Sequence, residues 1–161
     1  MREGSQGDRS GHLRGDVINR RATTLRSVFW AVVLFFCGYL IATIAGFATY
    51  VISEKLMWAT IFTAMPIVFG ILAYVYLVKT ASATSEAAAK MAGLILFWIA
   101  LSFALDAMTY IAVVPLISGR PPNWRFFIDQ TPWIWLCYLV LSVSGAAAVV
   151  VFRRRRPRPL R

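Results

Sequence analysis

The chain has 161 residues, 59% of them hydrophobic and 15% charged, with a formal charge of +10. A soluble domain carries about 25% charged residues, and one this small buries too little surface to hide so much apolar side chain. Composition therefore excludes an ordinary water-soluble fold and points to the membrane class.

Residues 1–26 hold six arginines, Glu3, Asp8, Asp16 and the single histidine, His12, with few residues able to pack a core. They are expected to form a disordered basic tail. A first apolar span follows over 27–52. Arg20-Arg21 precedes it, but Ala-Thr-Thr-Leu is a poor continuation for a twin-arginine signal. The apolar run also exceeds the roughly 7–15 residues of a cleaved signal, so it is expected to stay as a span. Gly38, Ala42 and Gly46 are spaced four apart within it. Such small-residue faces let helices approach closely, and internal packing is the preferred reading over a homodimer seam.

Ser53-Glu54-Lys55 is read as a turn, and the second span as 57–78. Pro66 lies inside that span. It lacks an N–H, which predicts a kink and a freed carbonyl near Phe62 or Thr63. Residues 80–89 form a polar connector in which Ser85 caps a helix start and Glu86 and Lys90 pair at i,i+4. The third span covers 91–117. Residues 118–132 make a proline-bearing loop, with Trp124, Phe126, Phe127 and Ile128 expected in the interface and Arg125 and Asp129 at pairing distance along a helix turn. A segment lying on the membrane surface is preferred there over a pocket cover or docking loop. The fourth span is 133–152, where Ser142/Ala146 and Ser144/Ala148 repeat the small-residue spacing, and 153–161 is a polybasic tail.

Backbone polar groups in lipid must be satisfied internally, which leaves helices or closed barrels. The spans show no alternating barrel pattern. The predicted fold is an all-α integral membrane protein, a four-transmembrane-helix bundle over 27–152. If the two tails and the second loop share one side, that side carries fourteen basic residues and the other three. The positive-inside rule then predicts both termini in the cytoplasm. Trp30 and Tyr76 fall near the predicted inner surface, and Tyr50, Trp58, Trp133 and Trp135 near the outer one. Fourteen of the 17 basic residues are arginine, and with the small size this points to a bacterial inner (plasma) membrane.

Asp106 is the acid that falls within a span. An ionisable residue at that depth costs about 2.5–3.5 kcal/mol on insertion scales and usually faces the bundle interior. Ser102, Thr109 and Tyr110 sit at i−4, i+3 and i+4 and extend it into a polar stripe. No basic residue lies at membrane depth beside it. Two readings stand: a proton-titrating or ligand-coordinating acid in a transport path, or an acid that joins helices by bonding groups across the bundle.

Arg153, Arg154, Arg155 and Arg156 are read as a topology anchor attracting anionic lipid headgroups rather than nucleic acid. Cys37 and Cys137 differ in depth by several ångströms, so two free buried thiols are expected rather than a disulfide. No cofactor is expected: a buried haem needs axial ligands, and His12 lies in the tail. A membrane serine hydrolase would need a histidine base at depth, and a potassium filter sequence is absent. With no catalytic set visible, the chain is not expected to be an enzyme. The leading expectation is a non-catalytic accessory or interaction subunit working through helix contacts with a membrane partner or its own copies. The alternative is a small proton-coupled transporter using Asp106.

Overall fold

The computed structural model describes the backbone of residues 8–81 and 83–155, and side chains from Thr23 onward within them. Its regular elements are helices: α1 (Asp8–Tyr50), α2 (Glu54–Thr80), α3 (Ala87–Asp106), a π-helical segment (Ala107–Val113), α4 (Val114–Ile117), α5 (Phe126–Asp129) and α6 (Trp133–Arg155). Four stretches are long and apolar enough to cross a membrane: Thr23–Tyr50, Glu54–Thr80, Ala87–Ile117 and Trp133–Arg155. The shortest has 23 residues. At 1.5 Å per residue it reaches about 34 Å, more than a hydrocarbon core of roughly 30 Å.

Several boundaries differ from the sequence reading. Disorder was expected throughout 1–26, yet the backbone is helical from Asp8. No proline falls between positions 8 and 50, and extending an existing helix costs far less than nucleating one. Residues 1–7, and Arg156 with the rest of the polybasic tail, lie outside the described residues. Helix α2 starts at Glu54 because Ser53 acts as its cap, its Oγ accepting the Leu56 N–H at 3.1 Å. The helix runs unbroken through Pro66.

Ser85 does not cap α3. Glu86 holds that position, and its side chain makes no capping hydrogen bond to the helix start. The expected Glu86–Lys90 pair is present at 3.1 Å, and Lys90 Nζ also donates to the Thr80 carbonyl, tying the start of α3 to the end of α2. Helix α6 continues past Phe152, so Arg153, Arg154 and Arg155 occupy its last turn. Cations are favoured there by the helix dipole, and the Arg155 guanidinium also lies 5.7 Å from the Tyr74 ring.

Contacts along the helices fix their directions. Gly38 meets Phe69 and Leu72, while Gly46 meets Ile61, so α1 and α2 are antiparallel. Trp58 stacks on Trp133 and Tyr74 meets Phe152, so α2 and α6 are parallel. The Trp98 Nε1–H donates to the Ala31 carbonyl at 2.9 Å, and Tyr39 reaches Asp106, so α1 and α3 are parallel. Helix α2 packs along α1 and α6, α6 packs along α3, and α3 meets α1 sparingly. The bundle therefore has a loop end, with residues 51–53 and 118–132, and a termini end, with the 81–86 connector.

Lipid supplies no hydrophobic drive between helices, so close packing must hold them together. Gly38 shows how: a Cβ there would lie 2.7 Å from the Phe69 ring. Ser144 and Ala148 are buried in α6, whereas Ala146 is exposed. The tightest approach belongs to Gly145, where a Cβ would meet Ile95 Cδ1 at 2.5 Å. Both cysteines are free, but Cys37 is exposed and Cys137 half-buried, against the expectation of two buried thiols. Cys37 stands beside Gly38 on the helix, about 100° around from the face that meets α2.

Candidate functional site

Asp106 is the last residue of α3, immediately before the π segment. It is part-buried and bridges three helices. Tyr39 of α1 donates its hydroxyl to Oδ1 at 3.5 Å, and Tyr138 of α6 donates to Oδ2 at 3.3 Å. Both distances exceed the roughly 2.5–3.0 Å of a strong O–H···O bond, so each contact is loose. The tyrosines are held by aromatic packing. Phe35, fully buried, stacks on Tyr39 at 5.6 Å and also meets Trp98, while Trp135 meets Tyr138 edge-on at 5.9 Å.

The predicted polar stripe on α3 lies unevenly around this acid. Ser102 is buried one turn away, Thr109 is half-buried, and Tyr110, stacked on Phe126 of the loop, stays near enough to Asp106 to interact with it electrostatically. The π segment begins directly after the acid. Its i→i+5 hydrogen bonding widens the turn, so positions after 106 leave the line that an α-helix keeps at i+3 and i+4. Neither hydrogen-bond partner of Asp106 comes from α2, so Pro66 takes no part in this cluster.

The π segment also leaves a backbone question. Pro115 has no N–H to return to the Ile111 carbonyl four residues earlier. The Asn123 N–H, from the 118–132 loop, bonds that carbonyl at 3.0 Å. The loop then folds back along the third span. Phe126 stacks on Tyr110 at 4.7 Å and 9°, and Phe127 stacks on Phe103 at 4.5 Å and 11°. These ring pairs flank Asp106 along the chain on either side. Trp124 and Ile128 stay exposed, and the Arg125–Asp129 pair is a long 3.9 Å contact. Half of the aromatic loop thus docks on the bundle, where the sequence suggested a segment resting on the surface.

Sequence reasoning missed Tyr39 and Tyr138. Tyr39 carried a usable signal: it and Asp106 stand equally far from Tyr50 and Ile117, the loop-end residues of their spans. Depth matching between parallel helices would have paired them. Among the described residues, no cluster of three His, Cys, Asp or Glu could hold a metal ion. A cavity of about 200 Å³ opens away from Asp106, between α1 and α3 toward the termini end.

Fold and site together define an all-helical, multi-pass membrane protein whose intramembrane acid is bonded to tyrosines of two other helices. No family model, curated protein or solved structure matches the chain.

Proposed function

We propose that this chain is a non-catalytic accessory or interaction subunit of a membrane assembly, acting through helix contacts. The observation that carries the reading is how Asp106 is used. Both of its oxygens accept hydroxyls from helices of the same chain, so the acid serves to hold the bundle shut. A transport site usually gathers several polar groups around a concave pocket, and the described cavity lies at the other end with a mainly apolar lining. What remains for recognition is helix surface, such as the outward stripe of Phe36, Leu40, Ile44 and Phe47 on α1.

In this reading both termini lie in the cytoplasm and the chain resides in a bacterial inner membrane. The basic residues favour that orientation, fourteen against three. The terminal arginines Arg153–Arg156 anchor it against anionic headgroups.

Gentle extraction followed by native mass measurement tests the proposal. A stoichiometric partner protein is expected. A chain that always leaves the membrane alone or only with its own copies contradicts it.

One observation favours a second reading, a small proton-coupled transporter. π segments recur at functional sites, and here one begins directly after the acid and beneath a stacked aromatic cover. Asp106→Asn separates the readings. A transporter loses coupled flux while staying folded. A subunit changes only in expression or in partner recovery.

A further inference from the structure

The sparing contact between α1 and α3 leaves a cleft at the termini end of the bundle. Val28 of α1 and Gly93 and Phe97 of α3 form its sides, and Tyr76 of α2 closes its back. Above it the Trp98–Ala31 hydrogen bond draws the two helices together and ends it. Thr24 and Ser27 bring hydroxyl-bearing residues to the other end. The apolar runs of the first and third spans begin near Ser27 and Met91, and that of the second ends near Val78, beside the polar connector 80–89. The mouth of the cleft therefore stands where hydrocarbon gives way to headgroups.

We propose that this cleft seats one acyl chain of an anionic phospholipid, with the headgroup held among Arg26, Lys79 and Lys90. Three observations converge on that occupant. The first is size. The cavity is about 200 Å³. At about 30 Å³ per small group, the share a water takes, it holds on the order of six or seven methylenes. A partner helix, roughly 10–12 Å across, does not fit.

The second is space without strain. A Cβ on Gly93 would meet nothing within 4 Å, unlike the crowded glycines Gly38 and Gly145. Gly93 is exposed, so the side of α3 that lines the cleft has room for an occupant.

The third is charge. Each helix lining the cleft carries a basic residue within one turn of the lining, all toward the same end. Arg26 adjoins Ser27, Lys79 follows Tyr76 by three positions, and Lys90 precedes Gly93 by three. Lys79 lies 5.4 Å from the Trp30 ring, and Lys90 pairs with Glu86, the acidic residue at this mouth among the described ones. Three cations against one carboxylate leave the mouth positive. Basic pockets between membrane helices bind anionic headgroups in this way. The inference rests on the chain spanning a bilayer and not on its being a subunit.

The test is native mass spectrometry of the full chain, purified in mild detergent and offered phosphatidylglycerol or phosphatidylcholine. One phosphatidylglycerol should stay bound in preference to phosphatidylcholine. Lys79→Met and Lys90→Met should each cut that preference about fivefold, as expected for one basic residue near a charged headgroup. Gly93→Leu should fill the cleft and remove either lipid while leaving the unfolding midpoint unchanged. Equal retention of the two lipids, or full retention by Gly93→Leu, overturns the proposal. A photo-crosslinker at position 97, used in intact membranes, reads the site without any cleft-filling change. A lipid-mass adduct supports the inference, and a peptide adduct or none overturns it.

Discussion

Gly145→Ala should destabilise the bundle, and the atoms responsible can be named. The added Cβ would lie 2.5 Å from Ile95 Cδ1, 2.9 Å from Ile95 Cγ1 and 3.0 Å from Met91 Sδ. The Met91 thioether can yield, since methionine is pliant. Ile95 is stiff at χ1, so its branch cannot swing away without an unfavourable rotamer or a shift of α3. Overpacking of this kind costs about 1–3 kcal/mol. Replacing a helical glycine by alanine returns up to about 1 kcal/mol. With the full return subtracted, the net expectation is a loss of about 0–2 kcal/mol, centred near 1.

Gly93→Ala is the matched control on the facing helix, because its Cβ meets nothing within 4 Å. It should leave stability unchanged or raise it by less than about 1 kcal/mol. Adding Ile95→Val removes Cδ1, the nearest atom, but keeps the branch at 2.9 Å, and should recover part of the Gly145→Ala loss. Reversible unfolding in mixed detergent and dodecyl sulfate reads all three. Equal stability of Gly145→Ala and Gly93→Ala, or a further loss when Ile95→Val is added to Gly145→Ala, would show that Ile95 does not limit the approach of α3 and α6.

Other consequences follow from the same contacts. Phe126→Ala with Phe127→Ala should free the 118–132 loop, since stacked rings contribute about 0.5–1.5 kcal/mol each beyond area burial. Hydrogen exchange should then quicken at the loop amides, including Asn123, while amides of α2 and α6 stay protected; unchanged loop protection would contradict the docking. Single cysteines at Ser118 and Ser53, in a background without Cys37 and Cys137, should react with an impermeant thiol reagent added outside sealed cells. Labelling of a cysteine at position 85 from outside would instead refute the proposed orientation. Ser53→Ala should cost about 0.5–2 kcal/mol through loss of the α2 cap, whereas Ser85→Ala should cost nothing measurable.

The helices were legible because their cause is compositional. Runs of apolar residues longer than a bilayer core fix four spans, and proline and polar clusters such as 118–132 fix the breaks. Helix ends were less legible. At Ser53 the cap sits before two charged residues that read as a turn, while at Ser85 a good capping residue goes unused. Asp106 stood out because lipid makes an acid conspicuous. Its partners did not, because tyrosine is unremarkable in a membrane helix and contacts between helices leave no trace in local periodicity. The π segment was invisible for a related reason. It lies beside Pro115, and the Ile111 carbonyl within it accepts the Asn123 N–H, a donor that only the folded loop supplies. Gly145 escaped notice because it has no small partner four residues away. Its closeness to α3 is set by the side chains opposite it.

Asp106 joins α1, α3 and α6 through two tyrosine hydroxyls. A double-mutant cycle measures that link, with Tyr39→Phe and Tyr138→Phe made in the native and the Asp106→Leu backgrounds. Hydrogen bonds between membrane helices average about 0.6 kcal/mol and reach about 1.7, and these loose contacts belong near the average. Each tyrosine change should therefore lower unfolding free energy by about 0.6 kcal/mol beside Asp106 and by nothing once Leu replaces it. Equal effects in the two backgrounds would show that the hydroxyls act independently of the acid and that Asp106 does not join the three helices.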